Sequence, residues 1–176
     1  MVDVGCDHGH VAAALGAVGV EREPHRVPRR PGRFLAGDGL AAFRQVDTAI
    51  IAGMGPATLL GILDRGPRPQ TLVAHCPDGM YRVRQGLAER GWRIDREGLA
   101  REGERISEVL RAVHGTETAT GHRLLFGPLL EDDPLVEDLA ARHLSRWRPL
   151  LTRAPLGSTA HRQARGWVDW LEGGRP

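Results

Sequence analysis

Acidic side chains follow three short apolar runs in the first forty residues of the chain. Asp7 lies in VDVGCDHGH between two glycines, Gly5 and Gly9. Glu21 ends the run AVGVE, and Asp38 lies in RFLAGDG. Glycines at the end of a strand let the backbone approach a ligand closely, whereas carboxylates accept hydrogen bonds and repel phosphate. The pattern therefore predicts a ligand that donates hydrogen bonds or carries positive charge.

The class of ligand is narrowed further by two motifs that the sequence lacks. It contains neither a P-loop nor the G-x-G-x-x-G dinucleotide fingerprint. Three carboxylates suit a neutral ribose, a base with N–H donors and a cationic sulfonium group, and S-adenosylmethionine combines all three. In this interpretation Glu21 accepts hydrogen bonds from the ribose hydroxyls, as the acid after the second strand does for NAD. Asp38 accepts from the adenine amino group, the alternative being that GDG is only a turn.

The elements that must position these residues follow a βα rhythm. Short apolar runs alternate with glycine and proline, and the clearest buried strand is the run in VDTAIIAGMG. We predict five parallel strands with intervening helices, followed by an antiparallel pair, in an open, doubly wound α/β sheet. The helix after the fourth strand is predicted to begin at Pro56 and to have Gly66 as its C-cap. The crossover between strands two and three, EREPHRVPRRPGRF, carries three prolines.

Ligands of such a sheet bind at the carboxyl ends of its strands. We therefore expect the site in the strand-end segments, which are residues 3–9, 21, 37–39, 53–55 and 76–78. Side chains that could bind a metal also occur near these ends: Cys6, Asp7, His8, His10, His75 and Cys76. Their spacing is not that of structural zinc ligands, so no metal is expected.

Length and composition are those of an ordinary folded protein. The chain has 176 residues, of which 41% are hydrophobic and 26% charged, enough for one domain and an appendage. No segment reaches the ~18 apolar residues needed to span a bilayer, and two cysteines fit a reducing compartment. We therefore expect a cytoplasmic protein with no membrane association.

Two parts of the chain differ in their patterns. Residues 1–122 carry the βα rhythm, whereas residues 123–176 are expected to form a short helical appendage, with helices at about residues 134–151 and 160–171. Between residues 139 and 168 there are six arginines and no acid. Such a patch can contact phosphates, and a solvated arginine face is the equally simple alternative.

Several motifs together resemble a known family. The chain is similar to the bacterial tRNA (adenine-N1)-methyltransferases that act on nucleotide 22 in VDVGCDHGH, GDGL, VDTAIIAGMG, EGERISEVLRAV and GPLLEDDPLVEDLAARHLSRW. The resemblance covers roughly residues 2–150 and implies a class I methyltransferase fold that binds S-adenosylmethionine. It assigns Gly5, Asp7 and Gly9 to the cofactor loop, Glu21 to the ribose and Asp38 to the adenine.

The resemblance also implies where the substrate lies. Gly53, Met54 and Gly55 match the segment after strand four that holds the target base, and tRNA is the implied partner. Adenine N1 already has a lone pair, so the enzyme has to flip the base out and align N1 with the methyl carbon. A nearby carboxylate would accept from the exocyclic amine and stabilise the charged product. Asp7 is the first candidate for this catalytic role and Asp78 the second.

Further residues complete the predicted sites. Gly39 and Gly53 are expected beside the cofactor, together with the residues above. The predicted substrate-binding residues are His8, Met54, Gly55, Pro77, Arg142, Arg146 and Arg148. Tyr81, Trp167 and Trp170 could also stack on bases, but the two tryptophans, three residues apart on one helix face, are expected rather to pack against another helix.

The sequence departs from the family in segments that bear on activity. Residues 76–78 keep only the proline of the family's glutamine-proline-asparagine motif, and IAGMGG has become IAGMGP. Only Met1 precedes the first strand, which indicates a shortened start, and the C-terminal helical pair is also shorter. Two alternatives therefore stay open: a methyltransferase of this fold with another substrate, and a binding protein without catalysis.

Overall fold

The computed structural model describes residues 1–173, and within this range seven strands form one sheet. The strands are β1 (Val2–Val4), β2 (Val18–Glu21), β3 (Arg33–Ala36), β4 (Thr48–Ala52), β5 (Thr71–His75), β6 (Trp92–Glu102) and β7 (Arg105–His114). The α-helices of the same range are α1 (His10–Leu15), α2 (Pro56–Leu63), α3 (Met80–Glu89), α4 (Gly121–Phe126), α5 (Val136–Arg153) and α6 (Thr159–Glu172). Short 3-10 helices span Pro24–Arg26 and Gly39–Ala42.

The strands follow the order β3-β2-β1-β4-β5-β7-β6. β1 pairs in parallel with β2 and β4, β2 with β3, and β4 with β5, so the first five strands point the same way. β7 is antiparallel to both β5 and β6. The predicted doubly wound α/β sheet with a terminal antiparallel pair is confirmed. Its topological switch lies between β1 and β4.

The main core lies around the central strands. Ala49, Ile50 and Ile51 of β4 are all buried, as expected of a strand covered on both faces. Towards the antiparallel edge β7 instead buries every second residue, among them Leu110 and Ala112. The strand that leads into the predicted base-binding segment is therefore buried on both faces.

One predicted helix end is wrong. α2 begins at Pro56 as expected but ends at Leu63, where the amide of Arg65 bonds the carbonyl of Ile62 and tightens the last turn. Gly66 therefore does not cap this helix. It permits a close approach, because a Cβ at Gly66 would lie 2.6 Å from the carbonyl carbon of Leu40.

Two further segments differ from a simple βα rhythm. The crossover between β2 and β3 contains only the 3-10 helix Pro24–Arg26, since its prolines cannot donate the backbone hydrogen bonds of an α-helix. α4 was not predicted, and the boundary expected between residues 122 and 123 falls inside it. The two long C-terminal helices lie within two residues of their predicted ends.

The C-terminal helices build a second apolar cluster against α3. Trp147 of α5 and Trp167 of α6 stack with ring centroids 5.9 Å apart and planes 7° apart. Tyr81 of α3 meets both rings edge-on, at 6.0 and 6.2 Å. The packing role of Trp167 is confirmed, and half-buried Trp170 stacks on His122. The suggestion that Tyr81 stacks on bases is wrong, because this residue is only 6% exposed.

A buried ion-pair network joins the two clusters. Arg84, in the middle of α3, is 1% exposed. Its Nε donates to Glu97 of β6 at 2.8 Å, and its Nη1 donates to Glu108 of β7 at 2.8 Å and to the carbonyl of Leu125 at 3.1 Å. The other carboxylate oxygen of Glu97 accepts from the amide of Leu129 at 3.0 Å. The network therefore ties α3 to the antiparallel strands and to the segment that leads into α5.

Replacing Arg84 is expected to cost far more stability than replacing a surface arginine of the same region. Arg84→Ala leaves two buried carboxylates without their partner, which lowers the free energy of unfolding by about 3–5 kcal/mol. Arg90→Ala, which breaks a partly exposed pair with Asp64, costs about 1 kcal/mol or less. Urea unfolding of both variants measures the difference. Equal losses would contradict the role given to the buried network.

Candidate functional site

The carboxyl ends of the parallel strands meet at one edge of the sheet. Val4, the last residue of β1, pairs with Val20 of β2 and Ile51 of β4. The last residues of β4 and β5 also pair, and the amide of Gly53 donates to the carbonyl of His75 at 3.1 Å. The structure therefore brings the predicted strand-end segments together at this edge.

The segment after β1, residues 5–9 (the β1 loop), is a tight turn. The amide of Gly5 donates to the carbonyl of Val20 at 2.8 Å, and the amide of Gly9 donates to that of Cys6 at 2.7 Å. Gly5, Asp7 and Gly9 all have positive φ, and aspartate is one of the residues that tolerate such a conformation. The turn therefore depends on the residue types found at these positions.

The β1 loop contacts the segment after β4. A Cβ at Gly5 would lie 2.1 Å from Cε of Met54. Gly53 has a φ of 75°, and a Cβ there would meet nothing within 4 Å, so this side of the β4 segment is open. The predicted cofactor loop and the predicted base-binding residues Met54 and Gly55 thus lie next to each other.

The proline-rich crossover packs over the β1 loop, which the sequence did not reveal. A Cβ at Gly9 would lie 2.5 Å from the ring of Phe34 in β3. Nη2 of Arg26 lies 3.4 Å from Oδ1 of Asp7, and Nη1 of Arg30 donates to the carbonyl of His8 at 3.4 Å. Asp7 and His8 are both exposed, and their side chains lie 3.6 Å apart. The crossover therefore forms one wall of the site without an α-helix.

Three carboxylates converge on the β1 loop. Burial and then the negative charges of Asp3, Glu21 and Asp7 raise the pKa of the Cys6 thiol to about 11. Of the three acids that the sequence pattern singled out, Asp7 and Glu21 therefore act on this loop and Asp3 joins them, whereas Arg26 and Arg30 bring positive charge to it. Carboxylates at these positions can attract a cationic ligand.

Asp3 is a further functional candidate. From the sequence it was expected only as part of the strand-end segment 3–9, without a role of its own. It is 4% exposed, and its Oδ2 has no hydrogen-bond partner in the part of the chain that the structure describes. Burial raises the pKa of Asp3, opposed by a hydrogen bond from the backbone of Ala12. The signal in the sequence is an acid inside an otherwise apolar strand, since such a residue is rarely buried without a reason.

Glu21 and Asp38 lie on neighbouring segments at the same edge. Oε1 of Glu21 accepts from the amides of Arg22 and Glu23 at 2.9 and 3.4 Å, which orients the carboxylate at the end of β2. The amide of Gly37 donates to the carbonyl of Glu21 at 2.9 Å. Asp38 is half-exposed, 3.6 Å from Nε of Arg65, and it precedes the buried Gly39.

The segment after β5 is held by α5. The carbonyl of Pro77 accepts from Nη2 of Arg142 at 3.3 Å, and the carboxylate of Asp78 is bound by Arg146. Cys76 is buried, and burial raises the pKa of its thiol. Arg148 lies elsewhere, because it binds Glu172 of α6 at 2.6 Å. Of the three predicted arginines, two are thus near the strand ends and the third faces α6.

Two features of other protein classes are absent from residues 1–173. No group of three or more His, Cys, Asp or Glu side chains is placed to hold a metal ion there. No helix of this range is long and apolar enough to cross a membrane.

Comparison with protein families gives one match. A family model described as tRNA (adenine(22)-N(1))-methyltransferase, TrmK, matches residues 33–166. This is the family that the sequence motifs resemble. The match begins at β3, so the β1 loop lies outside it. No curated protein shows a significant match to the chain.

Solved structures share the fold over nearly the whole chain. M. capricolum TrmK in complex with S-adenosyl-homocysteine has a TM-score of 0.79 and 12% identity, covering 97% of this chain and 90% of its own. The B. subtilis m1A22 tRNA methyltransferase TrmK has a TM-score of 0.74 and 20% identity, covering 98% and 88%. An uncharacterised protein from Listeria monocytogenes reaches 0.82 with 19% identity, covering 98% and 90%. At these identities the likeness establishes the fold.

His143, buried between the two C-terminal helices, is expected to make stability depend on pH. Burial lowers the pKa of His143 from 6.5 to about 4, so the unfolded chain takes up this proton first as the pH falls. The neutral, buried His143 therefore contributes to the free energy of unfolding above pH 6.5, and this contribution is lost towards pH 4. About 2 kcal/mol of it is lost between pH 7 and pH 5.

Urea unfolding at pH 7 and pH 5 measures this effect. His143→Gln should lose less stability between the two pH values than the parent, whereas the exposed control His25→Gln should behave like the parent. The same pH dependence in all three proteins would contradict the burial of a neutral His143.

Proposed function

Because the chain belongs to the tRNA (adenine(22)-N(1))-methyltransferase family, we propose that it transfers the methyl group of S-adenosylmethionine to N1 of adenine 22 in tRNA. Membership confirms the predicted family and enzyme class. One observation carries the proposal for this chain: the acids Asp3, Asp7 and Glu21 surround a glycine-rich turn that touches the segment after β4. A cationic methyl donor and a base acceptor would meet there.

The residues at this edge fit the cofactor. S-adenosylmethionine supplies a methyl group activated by a positively charged sulfur. The partnerless carboxylate oxygen of Asp3 and the carboxylate of Asp7 favour that charge. Gly5 and Gly9 allow the backbone to approach the ligand, and Glu21 accepts hydrogen bonds from the ribose hydroxyls.

The adenine of the cofactor would lie beyond Glu21. Asp38 follows β3, which is paired with β2, so its exposed carboxylate can accept from the adenine amino group. Gly39 has a φ of 55° and turns the chain directly after this acid. Gly53 would border the same space from β4, where a Cβ would meet nothing within 4 Å.

The target base would lie against the segment after β4. Met54 and Gly55 would form one side of this space, and His8 and Pro77 would border it from the neighbouring loops. Because adenine N1 has its own lone pair, the protein need not remove a proton before transfer and contributes mainly by orienting the base. Asp7 would accept from the exocyclic amine and stabilise the charged product. Asp78, bound to Arg146, is the second candidate for this role.

The two parts of the chain would bind different ligands. Residues 1–122 would form the cofactor-binding domain, and residues 123–176 an appendage whose arginines Arg142, Arg146 and Arg148 contact the tRNA backbone; residues 174–176 lie outside the described range. We propose the cytoplasm as the location, since the substrate is tRNA.

Methyl transfer to tRNA transcripts tests the proposed function. The purified protein, incubated with tritiated S-adenosylmethionine, should label an unmodified tRNA with adenine at position 22. It should leave the same transcript with guanine at this position unlabelled, because guanine N1 carries a proton. Counting of precipitated RNA gives the result.

The outcomes separate the alternatives. Equal labelling of both transcripts would contradict nucleotide 22 as the target. No labelling, with calorimetry still showing cofactor binding, would favour another substrate. No cofactor binding would favour a binding protein without catalysis.

A further inference from the structure

A cavity of about 260 Å³ opens between α3 and α5, beside the end of β5. We call it the α3–α5 cavity. Its polar lining comes from four elements, and the residues used below are Asp78, Tyr81, Glu108, Arg142, His143 and Arg146. The proposed function assigns both arginines, Arg142 and Arg146, to the RNA backbone without saying which phosphate they bind.

Two guanidinium groups are the cations that line the α3–α5 cavity. Arg142 and Arg146 are one helical turn apart on α5, so they face the same way. Glu108 is paired with the buried Arg84 at 2.8 Å and shares this arginine with Glu97. His143 is uncharged at neutral pH, because burial lowers its pKa to about 4. Asp78 is therefore the one acid of this lining that competes for an arginine of the cavity.

Arg146 is presented on a rigid aromatic surface. Its guanidinium carbon lies 5.4 Å from the ring centroid of Trp147 and 5.9 Å from that of Tyr81. Both rings belong to the buried second cluster. The arginine therefore keeps its place when its partner changes. That partner, Asp78, has a side chain 66% exposed, so it can turn into solvent.

Arg142 is anchored differently and holds α5 against the sheet. Its Nη1 donates to the carbonyl of Ile106 at 2.7 Å, and its Nη2 donates to that of Pro77 at 3.3 Å. The acceptors in both bonds are uncharged carbonyl oxygens, so these bonds do not neutralise the positive charge of Arg142. The start of α3, which also lines the cavity, adds the partial positive charge of a helix N-terminus.

The cavity adjoins the proposed base-binding segment. The end of β5 bonds to Gly53 through the carbonyl of His75. A Cβ at Gly79, in the cavity wall, would lie 3.2 Å from the ring of Pro56, which follows that segment directly. A group in the cavity would thus lie next to the target nucleotide.

We propose that the α3–α5 cavity binds a backbone phosphate of the RNA beside the target nucleotide, and that this phosphate replaces Asp78 on Arg146. In the free protein the carboxylate of Asp78 pairs with the guanidinium of Arg146. Without this pair, Arg146 would attract other anions. The inference rests on the proposed function, because tRNA is the source of the phosphate.

The salt dependence of tRNA binding tests the proposal. Fluorescence anisotropy gives the dissociation constant of unmodified tRNA at several chloride concentrations. A lost phosphate contact reduces the slope of log Kd against log salt by about 1. Arg146→Gln should show this reduction. Arg44→Gln, an exposed arginine at the opposite, amino-terminal end of β4, removes the same charge and should keep the parent slope.

A variant with the opposite expected effect on tRNA binding tests whether a phosphate replaces Asp78 on Arg146. Asp78→Asn frees Arg146 and removes a negative charge, so it should bind tRNA more tightly than the parent at every salt concentration. Weaker binding by Asp78→Asn, or equal slopes for Arg146→Gln and Arg44→Gln, would overturn the proposal. If methyl transfer to adenine 22 still occurs in that case, the proposed function stands without this subsite.

Competition by inorganic phosphate distinguishes an RNA phosphate from free phosphate as the ligand of the cavity. At constant ionic strength, phosphate should compete only weakly with tRNA for the parent protein. If Arg146→Gln lost affinity for inorganic phosphate but kept the parent slope with tRNA, the cavity would bind free phosphate and the assignment to RNA would be wrong. If the parent bound no tRNA at all, both the subsite and the proposed function would fail.

Discussion

The parallel pairing of β1 with β2 on one side and with β4 on the other determines where chemistry can occur in this protein. Parallel strands place their carboxyl ends at the same edge, and the chain reverses its winding between β1 and β4, which opens a crevice there. Val4 pairs with both Val20 and Ile51. Asp7 after β1 and Glu21 at the end of β2 therefore lie around one loop, together with Asp3 of β1.

A second constraint couples this edge to the C-terminal helices. Arg84 is buried with Glu97 and Glu108, so α3 cannot move independently of the antiparallel strands. α3 also carries Tyr81, on which the tryptophans of α5 and α6 pack. The arginines of α5 are thereby held over the end of β5. The proposed cofactor-binding edge and the helix proposed to face the RNA are parts of one packed structure, although they lie far apart in the sequence.

Much of this arrangement could be predicted from local patterns. The apolar run in VDTAIIAGMG and the glycines after each strand are signals within a few residues, so the sheet and its site edge were predictable. Contacts between distant segments were not: Phe34 filling the space beside Gly9, Arg26 approaching Asp7, and the proline-rich crossover serving as a wall.

Whether a carboxylate oxygen is buried without a hydrogen-bond partner cannot be read from a sequence, so no role of its own could be predicted for Asp3. The roles given to Asp7 and Asp78 stay predictions. Both residues lie at the expected edge, but each is paired with an arginine that the sequence did not assign to it. Activity assays will have to separate charge pairing from catalysis at both positions.

Calorimetric titration with S-adenosylmethionine tests the central claim most directly, namely that carboxylates around the β1 loop bind a cationic cofactor. The informative variant is Asp3→Asn, and Asp47→Asn, an exposed acid before β4, is its control. The parent and the control should show saturable binding, and Asp3→Asn should have a dissociation constant at least about tenfold higher, as expected for losing a charge-assisted interaction. No binding by the parent, or unchanged binding by Asp3→Asn, would contradict it.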